Sequence, residues 1–249
     1  KDGYRVISNR KGDNLREGIT TTLLTNASLN GTIKADAVVL EVDELTVRHI
    51  LPNLPVSMFV VNNFFRDQLD RAREMEQLIE SIEGVLPEYK GTLVLNGNDP
   101  NVVRMSLKAK KAKCFYFGLS KNTYSLSSTN EASEGKFCPK CGASLTYDYF
   151  QYSHIGSFHC SQCDFATPNL DVEISDIDLD SNTFKYNNEI FDSPYEGMFT
   201  MYNCAAVFSV SKLLKIPNET VRKVFKNAPQ PKGRNETSVA IPYNVHLSR

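Results

Sequence analysis

Four of the six cysteines stand in two pairs, Cys138-x-x-Cys141 and Cys160-x-x-Cys163, with eighteen residues between them. Two short jaws at this separation can close on one metal ion. Four thiolates at about 2.3 Å complete a tetrahedral zinc and leave no position for water, so the spacing predicts a structural rather than a catalytic zinc site. A redox dithiol pair is the alternative chemistry. His154 and His159 lie between the pairs, and with four thiolates available they read as exposed residues or as side chains outside the ligand set. Tyr147, Tyr149, Phe150 and Tyr152 could stack on bases, as ribbon aromatics can. Lys136 and Lys140 are opposed by Asp148 and Asp164, however, so the favoured reading is that the aromatics pack a unit with little core of its own.

A second set of polar groups follows apolar runs. Val38-Val39-Leu40 leads into Glu41, Asp43 and Glu44. The carboxyl edge of an open α/β sheet is where ligands and Mg²⁺ bind, although a solvated strand end gives the same pattern. Met58–Val61 leads into Asn62, Asn63, Arg66, Asp67, Gln68 and Asp70, where the acids could equally balance the dipole of a helix start. Cys114 and Cys204, each in an apolar setting, read as buried thiols.

These groups need elements to hold them. The runs Ala37–Leu40, Met58–Val61, Thr92–Leu95 and Cys114–Phe117 alternate with helical stretches, which predicts an α/β fold with a mostly parallel sheet covered on both faces. Leu69, Ala72, Met75, Leu78, Ile79 and Ile82 share one face of a helix that starts near Arg66 and stops at Gly84; an earlier helix is expected over about 13–24. The polar stretch 120–136 reads as a connection into the cysteine segment. Within that segment 145–152 has strand character, with Gly156 at the turn. Beyond it, Asn187-Asn188 between alternating segments signals a hairpin. Two helices are expected to follow, over about 203–215 and 218–226, the second capped by Asn218 after Pro217.

A chain of 249 residues, 41% hydrophobic and 23% charged, supports a sizeable core. A net charge of −1 supplies no basic field for a phosphate backbone, so no nucleic-acid partner is expected. No apolar run approaches the ~20 residues of a membrane span, and the first residues lack a secretory signal's apolar core, which makes a cytoplasmic location the expectation.

Five segments bring the sequence to a known family. They are Asn9-x-x-Gly12-x-Asn14-x-x-x-Gly18, Leu40-Glu41-x-Asp43-Glu44, Asn63-Phe-Phe-Arg66-Asp67-Gln68-x-Asp70-Arg71, Leu95-Asn96-x-x-Asp99-Pro100 and the four-cysteine insertion. In this order they resemble the MurT family, the Mur-ligase-like subunits of lipid II isoglutaminyl synthase. Met201-Tyr-Asn203-Cys-Ala-Ala and Gly233-Arg234-Asn-Glu236 resemble two further motifs, and the match spans about 5–236. The resemblance implies a Mur ligase central, ATP-binding domain over 1–136 and 167–236, an inserted zinc ribbon over 137–166, and a possible remnant of a C-terminal domain over 237–249. It also implies amidation of the D-glutamate α-carboxylate of the lipid II stem peptide through an acyl phosphate, with ammonia from a GatD-type glutaminase partner, at the inner face of the membrane. By the same resemblance Glu41 holds Mg²⁺ near the γ-phosphate, Asn203 contacts adenine and Arg234 reaches the ATP phosphates. Asn63 and Asp67 join this nucleotide-binding set, and Gln68 in place of a metal-binding histidine disfavours a second metal.

No G-x-x-x-x-G-K-[ST] occurs in these residues, and in the family that loop lies upstream of the segment matched here. The chain on its own is therefore expected to be inactive, with the catalytic residues outside it. Two other readings are another Mur-type amino-acid ligase, disfavoured by the cysteine insertion and Gln68, and a non-catalytic zinc-ribbon interaction module.

Overall fold

The computed structural model describes residues 4–9, 13–64, 72–129, 135–229, 236–240 and 243–247. The chain opens with β1 (Val6–Ser8), α1 (Arg16–Asn26) and β2 (Ala37–Val39), in which β1 and β2 pair in parallel. After a short α2 (Val47–Ile50) come β3 (Met58–Val61), α3 (Ala72–Glu83), β4 (Thr92–Asn96), α4 (Pro100–Val103) and β5 (Lys113–Leu119). The hairpin β6 (Leu145–Tyr152) and β7 (Ile155–Cys160) interrupts the series before β8 (Val172–Asp178), β9 (Thr183–Tyr186) and β10 (Glu189–Asp192). Helices α5 (Met198–Leu213) and α6 (Asn218–Lys226) and the strand pair β11 (Glu236–Ala240) and β12 (Tyr243–Leu247) complete the described elements.

All four apolar runs are strands. β3, β4, β5 and β8 pair in parallel, β9 and β10 extend them antiparallel, and the six-stranded order is β10-β9-β8-β5-β4-β3. A strand buried on both faces needs no polar alternation, and β4 shows why. Val94 joins a core with Phe117, Ile174, Tyr202, Ala205 and Phe208 beneath α5, whereas Leu93 and Leu95 join one with Ile79, Ile82, Leu86 and Met105 on the opposite face. The expected turn is present, Asn187 and Asn188 having φ of 50° and 63°, which matches the right-handed twist of the strands it joins.

Several boundaries differ from expectation. Residues 65–71, and with them the expected helix start, Asp67 and Gln68, lie outside the described residues, as does Arg234. Helix α5 begins at Met198, five residues before Asn203, because Gly197 takes a φ of 94° that lets the chain turn into the helix. Asn218 does not cap α6: Pro217 occupies that position, its carbonyl accepting from the Thr220 amide, and the Asn218 side chain donates instead to Glu189 at 3.0 Å. Gly156 is not in the turn of the ribbon hairpin, which falls at Ser153-His154. It lies in β7, where a Cβ would stand 2.1 Å from the Tyr149 carbonyl.

Candidate nucleotide edge and metal centre

The metal centre is built locally. Each cysteine pair sits on a tight knuckle: the Cys138 amide donates to the Ala143 carbonyl at 2.7 Å and the Cys160 amide to the Phe165 carbonyl at 2.8 Å. The bridges Phe137–Ser144 and His159–Ala166 close the two loops. The sulfurs of Cys138, Cys141, Cys160 and Cys163 all lie within 4.8 Å of one another, with Cys138–Cys163 and Cys141–Cys160 at 3.5 Å. Four sulfurs at about 2.3 Å from a tetrahedral zinc stand about 3.8 Å apart, so the donor set fits that ion. The Gln162 amide beside Cys160 Sγ pulls that thiol down towards the thiolate a metal requires, while burial and the neighbouring sulfurs hold Cys163 above its ordinary range.

The ribbon aromatics are packed. Tyr147 stacks on Phe150 with ring centroids 4.3 Å apart, Phe158 lies 5.5 Å from Phe165, and Val103 of α4 shares their core. His159 is half exposed beside Asp148, as expected. His154 is not exposed. Its side chain is 1% accessible and its Nε2 lies 3.3 Å from Oδ1 of the fully buried Asp99, so the hairpin tip enters the main domain rather than solvent. Cys204 is a buried thiol, raised to about 12 by that burial, and Cys114 is half-buried.

The second site lies along the carboxyl ends of β3 and β4. Asn62 follows β3 directly and donates to Asn203 Oδ1 on the outward face of α5 at 2.7 Å. Asn62 Oδ1 is itself buried with no hydrogen-bond partner, whereas Asn203 is exposed. Asn203, expected at a helix start or against a base, is thus in mid-helix and faces the strand end. Asn63 turns the other way, donating to Tyr152 of the ribbon at 3.4 Å. Beyond β4, the Asn98 side chain accepts from the Leu119 amide at 2.7 Å and from the Tyr202 hydroxyl at 3.0 Å. Burial holds the Tyr202 phenol far above its ordinary range and keeps it a donor.

Glu41 lies just past β2. Asn9, past β1, clamps it: the Asn9 side chain accepts from the Glu41 amide at 2.9 Å and donates to the Glu41 carbonyl at 2.7 Å, leaving the carboxylate side chain exposed. Among the described residues the four cysteines are the only group of three or more candidate metal ligands, so a cation at Glu41 would draw most of its ligands from substrate and water, as Mg²⁺ does. Spacing marks Asn62 only as one of the polar groups after its strand, and foretells neither Asn98 nor the contact of His154 with Asp99. The signal shared by Asn9, Asn62 and Asn98 is an asparagine within two residues of the end of β1, β3 and β4.

No protein-family model matches the chain. Curated relatives do: MurT, a subunit of lipid II isoglutaminyl synthase (glutamine-hydrolyzing), from Staphylococcus aureus strain COL is 32% identical over 234 residues. The Streptococcus pneumoniae MurT is 29% identical over 237 residues. Each alignment covers 94% of this chain and 52% of the relative, so the chain spans about half the length of the curated relatives it matches. Among solved structures, a pseudomurein peptide ligase type C from Methanothermus fervidus superposes with a TM-score of 0.71 at 23% identity, over 94% of this chain and 46% of that one. MurF from Acinetobacter baumannii gives 0.62 at 13% identity, over 98% and 45%. Across the aligned residues the chain is a homologue of MurT, built on the fold of the Mur-type ligases.

Proposed function

We propose that this chain is the nucleotide-binding part of an ATP-dependent amide ligase of the lipid II isoglutaminyl synthase type. The observation that carries the reading is the Asn62–Asn203 amide pair, which joins the carboxyl end of β3 to α5 and leaves Asn62 Oδ1 buried and unpartnered. The pair orients the exposed Asn203 amide at this edge, where it can face a purine. Glu41, just past the end of the separate β1–β2 parallel pair, supplies the negative charge expected near a phosphate-bound Mg²⁺. The ion, when bound, offsets charge on the phosphates.

In the reaction a carboxylate oxygen of the stem-peptide D-glutamate attacks the γ-phosphorus and the bond to the bridging oxygen breaks, releasing ADP. The resulting acyl phosphate gives ammonia an electrophilic carbonyl carbon. Nitrogen adds, phosphate leaves, and the surplus proton passes to solvent. The names of the relatives support lipid II as the acceptor and glutamine hydrolysis as the ammonia source, hence a GatD-type glutaminase partner and work at the inner face of the membrane. Among the described residues no helix is long and apolar enough to cross a membrane.

The test is amidation of lipid II by the full chain as it occurs in the cell, with glutaminase and glutamine. Mg²⁺-dependent release of one ADP per amide is expected. Amide formation without ATP consumption would overturn the assignment.

A further inference from the structure

The tip of the metal-stapled hairpin lies against the site described above. The Gly156 amide donates to the Asn98 carbonyl at 2.9 Å, the Tyr149 hydroxyl to the Leu119 carbonyl at 3.2 Å and the Gln151 side chain to the Ser120 carbonyl at 2.9 Å, so the hairpin is tied to the ends of both β4 and β5. The Asp99 carboxylate divides its two oxygens. Oδ1 accepts from the Asn101 amide at 2.8 Å and faces His154 Nε2 at 3.3 Å, while Oδ2 accepts from the Phe64 amide at 3.3 Å. Phe64 directly follows Asn62-Asn63. A second connection runs from the Gly156 amide through Asn98 to the hydroxyl of Tyr202, the neighbour of Asn203. Both asparagines of the base cradle are therefore held, one or two residues away, by groups that the ribbon holds.

We propose that the zinc ribbon is the positioning element of the nucleotide edge and that His154 is the positioning residue through which it acts. The inference rests on the nucleotide reading of the Asn62–Asn203 pair. A carboxylate with no exposure keeps its geometry only while polar groups surround it, and His154, its Nε2 at 3.3 Å from Oδ1 but short of hydrogen-bond geometry to it, is the side chain that another element brings to Asp99. Withdrawing the imidazole frees Asp99 to rotate, loosens the Phe64 amide and lets Asn62 drift from Asn203. The zinc, on its knuckles at the other end of the same hairpin, fixes the lever without touching the nucleotide.

The experiment uses the full chain with a non-hydrolysable ATP analogue and Mg²⁺, comparing wild type, His154→Ala and His154→Gln. Zinc content and the analogue's Kd are read together with the KM for ATP and kcat of amidation. His154→Ala should keep one zinc per chain and raise the Kd and the KM about tenfold, a loss typical for removing an orienting partner, with kcat changed less than about threefold. His154→Gln, whose amide restores a donor towards Asp99, should return the Kd to within about threefold of wild type. An unchanged Kd in a zinc-loaded His154→Ala protein, or no recovery with glutamine, overturns the inference. Should His154→Ala lose zinc, Tyr152→Phe decides the matter: it deletes only the hydroxyl that Asn63 contacts, and about a threefold rise in Kd supports the lever while no rise overturns it. Failure of wild type itself to bind the analogue would strike the nucleotide reading instead, a distinguishable outcome.

Discussion

At the scale of single residues the structure separates two asparagines that look alike in sequence. Asn62 and Asn63 are neighbours, yet one bonds across to α5 and the other to the ribbon. Because Asn62 and Asn203 touch at 2.7 Å, their contributions to a ligand cannot be independent. Asn62→Ala and Asn203→Ala should each weaken ATP-analogue binding about tenfold, and the double variant should be weaker by clearly less than about a hundredfold, as titration calorimetry would register. Strict additivity would separate the two amides. Glu41 behaves differently, since its backbone is clamped by Asn9 while its side chain stands in solvent. Glu41→Gln should leave the thermal midpoint unaltered and lower Mg²⁺-dependent amidation on the order of 100-fold, the scale for losing one electrostatic stabiliser. Undiminished amidation would remove it from the metal site.

At the scale of elements the ribbon is the unit whose stability is decided by chemistry rather than by burial. Its own core is small, formed around Phe158, Phe165, Cys138 and Cys160, with Val103 borrowed from α4. Ligand binding and folding are one free energy in such units, about 10–16 kcal/mol for a structural zinc. Purified protein should carry one zinc per chain by elemental analysis. Cys160→Ser should release it and expose Tyr147 and Tyr149 to solvent, visible as tyrosine fluorescence and faster proteolysis; retained metal with a native ribbon would refute the four-thiolate site. The cysteines were legible in sequence because a knuckle is a local object, closed within six residues from Cys138 to Ala143. The apolar strands and the Asn187-Asn188 turn were legible for the same reason, each depending on periodicity or on φ at one or two positions. What spacing could not reveal were the long-range docking contacts, Gly156 on Asn98 and His154 on Asp99, which join residues 58 and 55 apart in the chain. From spacing His154 reads as an exposed side chain or one outside the ligand set, and its burial against Asp99 follows only from the way the hairpin leans on the sheet. Asn218 misled in a smaller way, because Pro217 presents a carbonyl in the geometry a cap requires.

At the scale of the molecule the proposed site would serve the two ends of a nucleotide unequally. In that reading the base end rests on Asn62 and Asn203, which meet at the carboxyl end of β3, with Tyr202, the neighbour of Asn203, donating to Asn98. The phosphate end has Glu41, on a parallel pair whose strands make no ladder to β3 among the described residues. Triphosphate recognition ordinarily draws on a run of backbone amides and a lysine, and the G-x-x-x-x-G-K-[ST] pattern that supplies them is absent from these 249 residues. Affinity in the 249-residue polypeptide should therefore come from the base and respond little to phosphate number. AMP, ADP and ATP should bind with Kd values within about threefold of one another, less than the tenfold that 1.4 kcal/mol from a phosphate cradle would produce. Phosphate release above the uncatalysed rate should be undetectable. A steep preference for ATP together with Mg²⁺-dependent turnover would mean that the residues around Glu41 and Asn9 cradle phosphates by a geometry unlike a glycine-rich loop, and the division of labour between the two ends would have to be redrawn.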